Sequence, residues 1–210
     1  DTDAYRLQVQ IERHTEPHWQ GWGAYKLSEK YLIDANSLIQ PARAYYPFDF
    51  APSFWQQLSP RISSAKIVIL DKVRDELLKG TDEFAKWINN LPTEYILSTR
   101  DMQILNIYGN ILTFIQQSDQ YTESALRLWS RENVADPWLI AAAKVYGYTL
   151  LSFEQSAGRI TTRSNNPKLP DIARHFQVPY TSLFDMMRQE NFVYDNTPAH
   201  YLCRGVLCLV

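Results

Sequence analysis

Four carboxylates stand where an apolar run stops or a helix begins: Asp34 in YLIDAN, Glu76 in VRDEL, Asp136 in VADPWLIAAA and Glu154 in LLSFE. Acids brought to one place repel one another unless a divalent cation sits among them. Oxygen donors from four segments suit Mg²⁺ or Mn²⁺, hard ions that prefer carboxylate and water to imidazole or thiolate. No His or Cys falls within the set. Two such ions about 4 Å apart activate a water and stabilise the leaving oxygen of a phosphodiester. The chemistry to expect is metal-dependent phosphodiester hydrolysis.

The elements that must position these acids follow from the apolar pattern. Residues 31–34 form a short apolar run ending in Asp34, residues 66–70 (KIVIL) a β-branched strand, residues 148–153 (YTLLSF) a third strand and residues 178–182 (VPYTS) a fourth. Helical periods cover 51–59, 71–79, 82–90, 101–117, 122–131, 136–146, 172–176 and 183–190, with Gly80 and Gly147 as stops. Strands separated by helices predict an α/β fold, a central mostly parallel sheet with helices on both faces. In such sheets ligands bind outside the carboxyl ends of the strands. Asp34 and Glu154 follow their strands directly, Glu76 lies one turn into the next helix, and Asp136 with Pro137 opens a helix that feeds the third strand.

Each acid also has an ordinary role available. Asp136 is a good helix cap, Asp34 can cap the next helix with Asn36 as a turn residue, Glu76 can be a solvated helix charge and Glu154 can close a loop. Their joint occurrence at strand and helix edges is what favours a site. Asp171 and Asp185 read as surface or capping residues, and Trp129 and Trp138 as core.

At 210 residues the chain reads as one main domain, and 45% apolar content is ample for its core. A net charge of −2 excludes a global basic field, so contact with nucleic acid needs a local patch. Lys72 and Arg74 near Glu76, with Arg159, Arg163 and Lys168 after Glu154, are the candidates for holding an RNA backbone. Two cysteines, Cys203 and Cys208, give no disulfide framework and no zinc pattern, which points to a reducing cytoplasm. No run approaches the roughly 18 apolar residues of a membrane span. His14 and His18 have helical spacing, but Pro17 spoils the helix. Residues 1–29, which open on Asp rather than Met, read as a peripheral extension that need not be native; residues 30–193 are the domain and 194–210 a tail.

YLIDANSLI resembles the first motif of PIN domains, KVRDELLKG the segment that carries their second acid, and ADPWLIAAAKVYGYTLLSFE their third-acid helix, strand and fourth acid. With PARAYYPFDFAPSFWQQL and KLPDIARHFQVPYTSLFDMMR, residues 30–193 look like the DUF4411 group of PIN-like proteins. The resemblance implies a magnesium- or manganese-dependent ribonuclease with Asp34, Glu76, Asp136 and Glu154 as catalytic and metal-binding residues, supported by Asn36 and Ser152. Many PIN domains carry Asp where this chain has Glu154, so direct ligation there is the least secured. The resemblance further implies a toxin of a bacterial toxin–antitoxin pair, with RNA as substrate and an antitoxin as partner; a homodimer is an assembly the sequence leaves open. The alternatives are a PIN-like module that binds RNA or protein without catalysis, and a nuclease acting on DNA.

Overall fold

Continuous apolar runs become strands here because both faces of the sheet are covered. The computed structural model describes residues 30–80, 82–158 and 162–194. β1 (Tyr31–Ile33), β2 (Ile67–Leu70) and β4 (Thr149–Leu151) are buried at every position. Successive strand residues point to opposite faces, so burial of all of them means that neither face meets water. β3 (Ile96–Leu97) and β5 (Tyr180–Thr181) are two-residue edge strands. All five run parallel in the order β3-β2-β1-β4-β5. The expected four strands are present, and β3 is an addition that the sequence pattern did not mark.

The helices complete the layers. After β1 come α1 (Asn36–Gln40) and a π-helical turn over Pro41–Tyr45, closed by the Tyr46 N–H on the Pro41 carbonyl at 2.7 Å. α2 (Pro52–Ser63) runs past the expected end at residue 59. Pro60 lies inside it, and the helix continues because Leu58 and Ile62, one turn apart, are both fully buried. α3 (Asp71–Leu77) begins directly at the end of β2, followed by α4 (Glu83–Asn89). Asp82 caps α4 by accepting from the Ala85 N–H at 2.9 Å.

α5 (Met102–Gln117) packs along α7 (Asp136–Tyr146), with α6 (Glu123–Trp129) between them in the chain. The consecutive Ala141, Ala142 and Ala143 of α7 are buried, and their small side chains allow close approach to the elements around them. Gly147, at φ +68°, ends α7 in the left-handed conformation that glycine adopts without penalty. The chain then enters β4 two residues later. α8 (Leu169–His175) starts three residues earlier than its apolar period predicts, and α9 (Leu183–Gln189) closes the fold. Trp129 is buried as expected, whereas Trp138 is half-buried and stacks on Tyr108 at 3.9 Å.

Among the described residues no helix is long and apolar enough to cross a membrane. His14, His18, Arg159, Cys203 and Cys208 lie outside the described residues, as do the extension before residue 30 and the tail from residue 195.

Candidate functional site

β1 and β4 pair in register, Tyr31 with Thr149 and Ile33 with Leu151, so Asp34 and Ser152 both emerge one step beyond the ladder. The Asp34 N–H still reaches the Leu151 carbonyl at 3.0 Å, which pins the backbone at that edge. Asp34 is 6% exposed. One of its carboxylate oxygens accepts from the Ser37 backbone N–H and the other from the Ser152 hydroxyl, each at 2.6 Å. The first bond satisfies a free N–H in the first turn of α1, close to the capping role available to Asp34, although Ala35 is the N-cap. Ser37 also turns its own hydroxyl toward the Leu151 carbonyl at 3.4 Å. Asn36, expected as the support of Asp34, is exposed on the first turn; its neighbour Ser37 supplies the bond instead. The donor is a backbone N–H that any residue but proline would supply, so no residue type marks it.

Asp136 is the first residue of α7, and no side-chain cap bond forms at that end. The helix-cap role expected for it is therefore not the one it plays. Among the described residues its carboxylate has no hydrogen-bond donor. Some solvent reaches it, yet protein surrounds most of it. Burial pushes its pKa from 3.8 up to about 7, and the negative charges of Glu154, Asp34 and Glu76 add to the rise, while Lys168 opposes it. Asp34 is raised as well, first by burial and then by Glu154, with the bonds from Ser152 and Ser37 acting the other way. The four predicted acids are thus near enough to act on one another through charge. Among the described residues, however, no three His, Cys, Asp or Glu side chains stand as a closed metal-binding group.

Glu154 carries a structural load. Its oxygens accept from the Leu169 N–H at 2.8 Å, satisfying a free donor at the start of α8, and from Lys168 Nζ at 3.2 Å. Its own N–H donates to Ser152 Oγ at 3.0 Å, which links Glu154 to Asp34 through one hydroxyl. Glu76 is half-buried on α3 and lines a cavity of about 360 Å³ with Lys72, Asp75, Lys79, Glu132 and Asn133, and its charge reaches Asp136.

The predicted cations divide. Lys168 joins the acids through Glu154. Lys72 lies 3.6 Å from Glu132 and 5.6 Å over the Trp138 ring, on the Glu76 side. Arg74 lines a second cavity, about 330 Å³, with Arg100, Asp71, Asp75 and Ser98, and its buried Nε has no hydrogen-bond partner among the described residues. Arg163 is drawn elsewhere, donating through Nε to the Tyr121 carbonyl at 2.9 Å. Asp185 is the surface residue expected, whereas Asp171 is not: its side chain is largely covered and holds a distant loop. Asp171 accepts from Ser156 and from the Ala157 N–H, and Asp185 pairs with Arg188 at 2.7 Å. Asp71 was not singled out by sequence, yet it accepts from the Thr99 N–H at 2.8 Å and ties β3 to α3.

The donor set is all oxygen, negatively charged and short of hydrogen bonds at Asp136, which fits a hard divalent cation in chemistry. Asp34, Asp136 and Glu76 are the residues that would hold one.

No curated protein matches the chain. Among solved structures it is similar to a chain in the crystal structure of VapBC2 from Rickettsia felis bound to a DNA fragment from their promoter. The identity is 15% and the TM-score 0.44, over 72% of this chain and 97% of that one. Residues 31–194 match the family described as Domain of unknown function (DUF4411), a span that starts on the first residue of β1 and passes the end of α9. The chain belongs to the DUF4411 family.

Proposed function

We propose that this protein is a metal-dependent endoribonuclease working at the carboxyl edge of β1, β2 and β4. One observation carries the reading: the Asp136 carboxylate is largely surrounded by protein, lacks a hydrogen-bond donor among the described residues, and faces three like charges that help push its pKa to about 7. A divalent cation relieves that arrangement more directly than any other occupant. Asp34, Glu76 and Asp136 would hold the ion. When bound, it would supply an activated water and charge stabilisation for the leaving oxygen of a phosphodiester.

The remaining work falls to the chain itself. Ser37 and Ser152 fix both oxygens of Asp34, so its carboxylate is oriented before any ligand arrives. Asp136 can hold or release a proton near neutrality. Glu154, engaged by Leu169 and Lys168, borders the site and adds negative charge to it. Lys72 and Arg74 on α3 provide cations for RNA phosphates. The PIN resemblance supports RNA as the substrate and an antitoxin as the partner if the protein is a toxin.

Cleavage of single-stranded and structured RNA in Mg²⁺ or Mn²⁺ tests this, with DNA of matched sequence alongside. Asp34→Asn and Asp136→Asn proteins that remain folded should lose at least about a hundredfold in rate. Unchanged rates in both would sink the assignment. One observation favours a second reading, a module that binds RNA or protein without catalysis: no closed metal-binding group is formed among the described residues. Intact RNA binding with no response to Mn²⁺ would select it.

A further inference from the structure

Three rings gather beside the acids without belonging to them. Tyr45 ends the π-helical turn after α1, Phe153 stands between Ser152 and Glu154, and Phe184 lies in the first turn of α9. Their centroids are 5.9 Å apart for Tyr45–Phe153, 5.9 Å for Tyr45–Phe184 and 5.6 Å for Phe153–Phe184. Each ring comes from a segment that follows one of three neighbouring strands, β1, β4 and β5. The cluster therefore sits at the same carboxyl edge as Asp34 and Glu154, on the β5 side.

Tyr45 is 49% exposed, although Phe153 and Phe184 both touch it. Those contacts are tilted or edge-on, at 43° and 68°, and among the described residues no ring lies parallel on Tyr45. Its chain neighbour Tyr46 differs, stacking in parallel with Phe54 at 4.6 Å and with Tyr194 at 5.5 Å. Two half-buried phenyl rings thus brace a third, half-exposed ring on which no other ring stacks among the described residues. Toward β3, Arg74 and Arg100 line a cavity together with Asp71 and Asp75, so that flank carries both signs of charge. The exposed, braced ring beside the acids matches one need of a single-stranded nucleic acid, a surface on which an unpaired base stacks.

We propose that Tyr45, braced by Phe153 and Phe184, is a stacking platform for an unpaired nucleobase of the RNA strand presented to the acids. The platform selects single-stranded over duplex substrate, because a paired base has no free face to offer. This inference rests on the nuclease reading for its placement, but its test reads binding rather than cleavage.

The probe is a short single-stranded RNA carrying 2-aminopurine, titrated in EDTA so that no cutting occurs, with the same strand annealed to its complement as the second arm. The wild-type chain should bind the single strand more tightly than the duplex and quench the fluorophore. Tyr45→Ala should weaken binding about 5- to 30-fold and abolish the quench. Tyr45→Phe should keep both, and Tyr45→Leu neither, with urea melts confirming that each variant is folded. Equal affinity of Tyr45→Ala, equal affinity for duplex, or no RNA binding by the wild type would each overturn the proposal. So would a Tyr45→Ala effect confined to sedimentation, which would mark a self-association surface. The two readings fail separately. RNA that is cut in Mg²⁺ but bound equally well by Tyr45→Ala removes only the platform. A Tyr45-dependent quench with no cutting removes only the nuclease.

Discussion

Ser152 Oγ donates to Asp34 Oδ2 across 2.6 Å, and the two residues stand one step beyond the Ile33–Leu151 pair of the β1–β4 ladder. Sheet register therefore sets the orientation of the most buried acid. Ser152→Ala strips a donor from a carboxylate that is 6% exposed, a loss worth about 1–3 kcal/mol. Urea unfolding at pH 7.5 should show this, and Ser152→Thr should recover most of it. No loss of stability in the alanine protein would mean that the bond does not support Asp34.

The raised pKa of Asp136 has a defined consequence for stability. Its folded value of about 7 lies above its usual 3.8, so the folded state prefers the protonated acid. The stability this contributes is fully present below about pH 4 and is lost as pH rises through 7. Asp34, raised in the same direction, reinforces the trend. The shift corresponds to about 4 kcal/mol at most, since some solvent reaches the carboxylate. Metal-free protein should lose urea resistance between pH 5 and 8, and Asp136→Asn should flatten that slope. A slope that Asp136→Asn leaves unchanged would place its origin elsewhere.

A cation that binds the folded state alone should reverse the same penalty. At a hundred times its dissociation constant Mn²⁺ adds about 2.7 kcal/mol, or about 5–10 °C in melting temperature for a chain of this size. Thermal melts at pH 8 should show the rise, which should shrink at pH 5.5, where Asp136 holds its proton. Asp136→Asn should lose most of it. A flat response at pH 8 would argue for the binding-module reading.

Lys168 favours the charged form of Asp136 while pairing with Glu154 at 3.2 Å. Removing it as Lys168→Met should cost less than about 1 kcal/mol of stability, since both partners are partly exposed. The charge effect reaches further. The Asp136 pKa moves up, so the acid limb of any cleavage profile should shift to higher pH, and Lys168→Arg should restore it. An unshifted limb would separate Lys168 from Asp136.

The sequence pattern located β1, β2 and β4 because each is a continuous apolar run buried on both faces. β3 escaped it, since two half-buried residues have no period and Ile96 becomes a strand residue only by pairing with Ile69 on β2. The π-helical turn after α1 was equally invisible, because nothing in PARAY distinguishes a wide turn from a loop. The candidate acids were nameable from their places at strand and helix ends. Their partners were not. Leu169 meets Glu154 and Thr99 meets Asp71 only after distant segments converge, and Arg163, which looked free to hold RNA, is turned to the Tyr121 carbonyl.

The bond that joins Asp34 to Ser152 spans 118 positions of the chain. During synthesis Asp34 and Glu76 leave the ribosome early, but β4 follows only after α7 has emerged. Until then β1 lacks one of its two neighbours, and Asp34 lacks the hydroxyl that orients it. However early β1 forms, the Asp34 carboxylate is held at only one of its two oxygens until the segment carrying β4 has paired beside it.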